Sequence, residues 1–157
     1  MTVETSPAAF AMFSDPSDLK FIETLLPNIR EKFDMDVAYL SEFGADKAVI
    51  RAVSAPGLEN MIQTGQAFDL NEIYCRHIID GGLPRLMTDT SAHQIARDLP
   101  ITQLIPIRSH LSVPVYRTDA SVYGMLCCIG RDTRPMLTER DVRLMEALSS
   151  AIGTQMR

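Results

Sequence analysis

The chain has 157 residues, 46% of them hydrophobic, with a formal net charge of −5. That is the length of a single domain able to build its own core. No apolar run approaches the roughly 18 residues that cross a bilayer. The scattered basic residues argue against a nucleic-acid footprint or an anionic membrane surface. The opening "MTVETSPAAFAMF" lacks a basic n-region and a long apolar stretch, so it does not read as a signal peptide and a cytoplasmic location is expected.

Residues 1–13 read as a flexible tail and residues 14–157 as one domain. In "SDPSDLKFIETLLPNIREKF", Leu19, Ile22, Leu26, Ile29 and Phe33 recur at helical steps, with Ser14, Asp15 or Ser17 as cap. Pro27 inside the pattern predicts a kink or a late start. Val37 to Phe43 and Lys47 to Ser54 flank "GAD" and predict a β-hairpin. "APGLENMIQTG" reads as a loop. "FDLNEIYCRHIIDGG" reads as a short helix, capped by Asp69 or Asn71 and ended by Gly81 and Gly82. "RLMTDT" is a short strand, and "AHQIARDLPITQL" is a helical segment broken at Pro100.

"SHLSVPV" and "VYGMLCCI", joined by "YRTDAS", predict a second hairpin, in which Pro114 calls for an edge or a bulge. In the closing "LTERDVRLMEALSSAIGTQMR", Thr138 and Asp141 form a variant capping box. Val142, Met145, Leu148, Ser149, Ile152 and Met156 make one stripe on that helix. The order predicts an α+β fold with a central antiparallel sheet of about five or six strands. Both terminal helices carry an apolar stripe, so they are expected on one sheet face, with the middle helices on the other.

Four segments resemble the GAF family of small-molecule sensor domains: "YCRHIIDGGLPRLMTDTSA", "IRSHLSVPV", "VYGMLCCIG" and "LTERDVRLMEALSSAIG". The likeness covers roughly Asp15 to Met156. The wording of "YCRHIIDG", "HLSVPV" and "YGMLCC" is most similar to GAF domains that precede EAL-type cyclic-di-GMP phosphodiesterases in bacteria. The resemblance implies a sheet with the terminal helices on one face and a lidded ligand pocket on the other. It also implies a regulatory module, and leaves the ligand's identity open.

Alternation within the strand sorts residues onto these faces. Leu111, Val113 and Val115 belong under the terminal helices, and Arg108, His110 and Ser112 on the pocket side. Cys75, Asp89 and the Ala92 to Leu104 segment are expected nearby. Asp89 is also suited to capping the local turn. The three cysteines form no metal-type pair, and Cys127 and Cys128, as strand neighbours, should point to opposite faces. A zinc site from Cys75, His77, His110 and Cys127 would need convergence from three elements without supporting spacing.

The sequence requires no cofactor. Some GAF photoreceptors attach a bilin through a Cys followed directly by His, but Arg76 separates Cys75 from His77. Haem on His93 or His110 stays open as a minor reading. The enzymatic alternative is a small redox enzyme of the free methionine sulfoxide reductase type, working through cysteines. No Ser-His-Asp set, Gly-rich phosphate loop or metal spacing appears, so the chain reads as a non-enzymatic sensor.

The terminal helices also carry second apolar flanks, Phe21 with Leu25 and Leu144 with Ala147 and Ala151. These predict a homodimer through the terminal helices, broken by charges at Leu25 and Leu144, that passes ligand-dependent shifts to an output domain in cis or trans.

Overall fold

The structure, a computed structural model, describes residues 3–5 and 16–156. In chain order the elements are β1 (Val3–Thr5), α1 (Pro16–Lys32), β2 (Val37–Phe43), β3 (Lys47–Ser54) and β4 (Gln66–Asp69). They continue with α2 (Tyr74–Ile79), β5 (Leu86–Met87), α3 (Gln94–Asp98), α4 (Pro100–Leu104), β6 (Ser109–Tyr116), β7 (Val122–Gly130) and α5 (Glu139–Gly153). The described strands form one sheet in the order β1-β4-β3-β2-β7-β6-β5, and every neighbouring pair is antiparallel. The fold is α+β, as the order of predicted elements requires.

The central strands are covered on both faces. Ile22, Leu26 and Ile29 of α1 meet Val142, Met145 and Ile152 of α5 over Leu40, Leu111, Val113 and Leu126. The opposite face packs Val37, Tyr39, Met125, Cys127 and Ile129 against α2, α4 and their flanking loops. Asp141 accepts a hydrogen bond from the Thr138 N–H at 2.8 Å, which fixes the start of α5 as the capping pattern predicts. The Ser149 hydroxyl donates to the Pro114 carbonyl at 2.5 Å and ties α5 to β6. Gly153 lets the helix end close in, because a Cβ there would stand 2.2 Å from the Tyr116 carbonyl oxygen.

Pro114 is tolerated for a readable reason. The Ser112 N–H points toward the β5 side and donates to the Arg85 carbonyl at 2.9 Å. Two residues on, the nitrogen of Pro114 faces the same way, beyond the ladder that two-residue β5 makes with Leu111 and His110. No ladder bond is lost there.

Several expectations meet corrections. The first helix starts at Pro16 and includes Pro27, so the late start does not occur. The caps expected at Ser14 and Asp15 lie outside the described residues, and Ser17 falls within the helix. Most of the expected tail, residues 1–13, also lies outside them, while Val3–Thr5 pairs with β4 as an edge strand. The segment read as one short helix starts instead as β4, paired through Ala67 with Val49 and Phe68 with Ala48. Four residues are too few to show a period, and pairing across the sheet decides their state. Among the described residues no helix is long and apolar enough to cross a membrane.

One bulge matters for stability. Leu40 pairs with Ala52 and Ser41 with Ile50, so Arg51 is the extra residue of β3. Its Nε donates to Glu42 Oε1 at 2.8 Å, with the two side chains only 1% and 4% exposed. Burial holds the Glu42 carboxyl above its ordinary range despite the Arg51 hydrogen bond, and burial likewise lowers Arg51. Breaking such a pair strands a charge, whereas replacing both members with apolar residues is often neutral. Arg51→Met should therefore cost about 3–5 kcal/mol in urea unfolding, and Glu42→Leu added to it should recover most of the loss. A double variant no more stable than Arg51→Met would contradict this account.

Candidate functional site

The floor of the site is built by the register of three strands. Val37, Ile129 and His110 form one row across β2, β7 and β6; Tyr39, Cys127 and Ser112 form the next. Ser41, Met125 and Pro114 form the third. Side chains two apart along a strand share a face, so these rows lie together under the middle helices. The result is a polar strip in an otherwise apolar floor.

The roof is held by short-range capping rather than by long helices. Asp69 accepts from the Asn71 N–H at 2.9 Å and starts the turn leading into α2. Gly81, at φ +85°, turns the chain away after α2. Asp89 accepts from the Ser91 N–H at 3.0 Å and the Ser91 hydroxyl at 2.7 Å. Next to it, the Thr90 hydroxyl donates to the Ile107 carbonyl at 2.8 Å. Thr102, buried in α4, donates to the Ala96 carbonyl and pairs with the Tyr74 hydroxyl, so one side chain links α2, α3 and α4.

Between floor and roof lies a cavity lined by residues of every one of these layers, among them Ser41, Ile50, Phe68, Tyr74, Ile101 and His110. Of about 420 Å³ of atom-free space there, only about 20 Å³ admits the centre of a water molecule. That is room for about one water. A larger molecule enters only if the roof moves outward. Among the described residues no Lys, Arg, Asp or Glu lines the cavity.

His110 is buried, and its ring stands edge-on to Tyr74 with centroids 4.6 Å apart at 89°. Its Nδ1 lies 3.5 Å from the Ser112 hydroxyl. Burial pushes the Tyr74 phenol up to about 12, against the Thr102 hydrogen bond. Cys127 is the acidic thiol of the chain. Burial opposes its ionisation, but hydrogen bonds from Cys75 and His110, the His110 charge and a Tyr39 hydrogen bond outweigh that, holding it at about 6. The same contact with Cys127, followed by burial, pushes the Cys75 thiol up, and burial with the Cys127 and Cys75 charges raises Tyr39. Cys128 belongs to the opposite face, among α1 and α5 residues, and burial raises its thiol.

Of the residues singled out from sequence, His110 lines the cavity. Ser112 lies beside it in the floor, and Cys75 is buried behind the lining in contact with Cys127. Arg108 and Asp89 stand outside, with side chains 50% and 41% exposed and 3.9 Å apart. His93 precedes α3 without a side-chain capping bond and is not part of the lining. Tyr39, Ser41 and Tyr74 escaped sequence reasoning, although the alternation Val37-Tyr39-Ser41 in β2 carried the signal for two of them. Among the described residues no group of three or more His, Cys, Asp or Glu could hold a metal ion. Nor does the lining suit a tetrapyrrole, whose propionates would find no cation among its described residues.

A double-faced antiparallel sheet with a lidded cavity on one side defines a sensor-type, ligand-binding regulatory fold. The chain belongs to the GAF domain family, whose model matches residues 14–156. Among solved structures, the GAF domain of Acinetobacter phosphoenolpyruvate-protein phosphotransferase is 14% identical, with a TM-score of 0.71 over 94% of this chain and 87% of that one. A phycoerythrobilin-bound GAF domain from a cyanobacterial phytochrome is 13% identical, with a TM-score of 0.72 over 89% and 85%. Free methionine-R-sulfoxide reductase from Neisseria meningitidis is 16% identical, with a TM-score of 0.70 over 95% and 82%. Such identities show a shared fold alone. No curated protein matches the chain in sequence.

The thiol order is open to direct measurement. Thiolate absorbance at 240 nm, taken as wild type minus Cys127→Ser, should rise with a midpoint near pH 6. A midpoint at or above the ordinary thiol value of about 8.5 would show that burial wins at Cys127.

Proposed function

We propose that this domain is a small-molecule-binding regulatory module of bacterial signal transduction, acting on an output domain in cis or in trans. The observation that carries the reading is the cavity on the His110 face, roofed by segments held through a few hydrogen bonds. Filling it must shift α2–α4, which gives a bound molecule a mechanical consequence. The likeness of "YCRHIIDG", "HLSVPV" and "YGMLCC" to domains preceding EAL-type phosphodiesterases makes cyclic-di-GMP turnover the output of choice. Native mass spectrometry of freshly purified protein, with an absorption spectrum, tests this. A bound small-molecule mass without a visible band is expected; a chain that carries and takes up nothing would contradict it.

We further propose that the regulated form is a homodimer through α1 and α5. Phe21 is 49% exposed, and Ala147 and Ala151 are exposed on the facing helix, which supports a covered face in the assembly. Leu25 and Leu144 are half-buried against the domain's own core, so charges there also strike the fold. Phe21→Glu with Ala147→Glu should give a folded monomer in sedimentation. Unmodified protein that stays monomeric at high concentration would remove the dimer.

A second reading is favoured by one feature, the acidic Cys127 beside Cys75 and His110. Two thiols can reduce a sulfoxide: they lose two protons and two electrons to form a disulfide, and the sulfoxide oxygen leaves as water. Turnover of free methionine sulfoxide with a dithiol donor, abolished by Cys127→Ser and retained in Cys128→Ser, would establish this reading over the sensor.

A further inference from the structure

One polar atom in the cavity floor is answered by no group among the described residues. Ser41 is 1% exposed and lines the cavity, and its Oγ has no hydrogen-bond partner among the described residues. The other polar groups there are engaged. The Tyr74 hydroxyl meets Thr102, His110 meets Ser112 and Cys127, and Tyr39 meets Cys127. A buried hydroxyl without a partner is a standing cost, and a cavity beside it is where the partner belongs.

The rest of the lining sets the character of that partner. Ile50, Ile62, Phe68, Ile101 and Ile107 present hydrocarbon, and among the described residues no Lys, Arg, Asp or Glu lines the cavity. An anion entering it would lose its hydration with nothing to replace it. Phosphate groups need Arg, Lys or an array of backbone N–H donors, and the helices above the cavity are only five or six residues long. Cyclic dinucleotides and other phosphorylated ligands are therefore excluded from this cavity by its chemistry, whatever the output domain acts on.

We propose that the cavity binds a compact neutral molecule, apolar over most of its surface, whose single hydroxyl or carbonyl hydrogen-bonds to Ser41 Oγ. The inference rests on the ligand-binding reading above and narrows it to a chemical class. Only about 20 Å³ there admits the centre of a water molecule, so even a single-ring molecule needs α4 to yield.

Three probes built on one tolyl ring separate the contributions: p-cresol (neutral, one hydroxyl), toluene (neutral, no polar atom) and 4-methylbenzoate (anionic). Binding is read by calorimetry on the full chain, with isoleucine methyl spectra locating the site. p-Cresol should bind at least about tenfold tighter than 4-methylbenzoate, matching the loss of a buried charge's partner. Ser41→Ala should weaken p-cresol about three- to tenfold and leave toluene within about twofold. Removing an unpaired hydroxyl should also leave the melting temperature unchanged or raised, which shows that the variant is folded.

Equal or tighter binding of 4-methylbenzoate would overturn the proposal, as would p-cresol binding indifferent to Ser41→Ala. If none of the probes binds while purified protein carries a charged metabolite, the chemical class is wrong and the sensor reading stands. If none binds and the protein neither carries nor takes up any small molecule, both fall together.

Discussion

The structure depends on a sheet that is buried on both faces. Antiparallel sheets with one wet face can hide polar residues by turning them outward, but β2, β7 and β6 have no outward side. Their alternation divides one set of side chains between two cores, so Leu111, Val113 and Val115 go to the terminal helices while His110 and Ser112 go to the roof side. Every polar residue of these strands must then find a partner inside the protein or in something it binds. The Arg51–Glu42 pair answers that demand on the helix side of β2. On the other side His110, Ser112, Cys127 and Tyr39 answer one another, and Ser41 is left over.

The two faces are also held differently. The terminal helices are long, striped and tied to the sheet by buried Leu, Ile and Val contacts together with the Ser149–Pro114 bond. The roof consists of helices of five or six residues, each far below the length at which a helix is stable alone. Asp69 and Asp89 fix the turns that precede α2 and α3, while Thr90 bonds the Ile107 carbonyl and Thr102 ties α4 to α3. A layer held by a few side-chain bonds is the one that yields when the cavity fills.

How much of this could be read from residues alone follows the range of the interactions. The hairpins, the cap at Thr138 with Asp141, the break at Pro100 and the faces of His110 and Leu111 are local or obey a period of two, and each was legible. β4 was not, because its four residues become a strand only through pairing with β3. The bulge at Arg51 was not, since nothing in "KAVIRAVS" marks an extra residue. Arg108 misled for a related reason: it precedes the first ladder residue Ser109, so the alternation of β6 does not reach it and its side chain turns to solvent. Ser41 was invisible because a hydroxyl's lack of a partner is a property of all its neighbours at once.

Xenon, which needs no polar contact, tests most directly whether the His110 face encloses a space that opens to a guest. Under xenon pressure, methyl resonances of Ile50, Ile101, Ile107 and Ile129, which line the cavity, should shift. Those of Ile22, Ile29 and Ile152, between the sheet and the terminal helices, should stay in place. Shifts confined to the second set, or absent from both, would contradict the account.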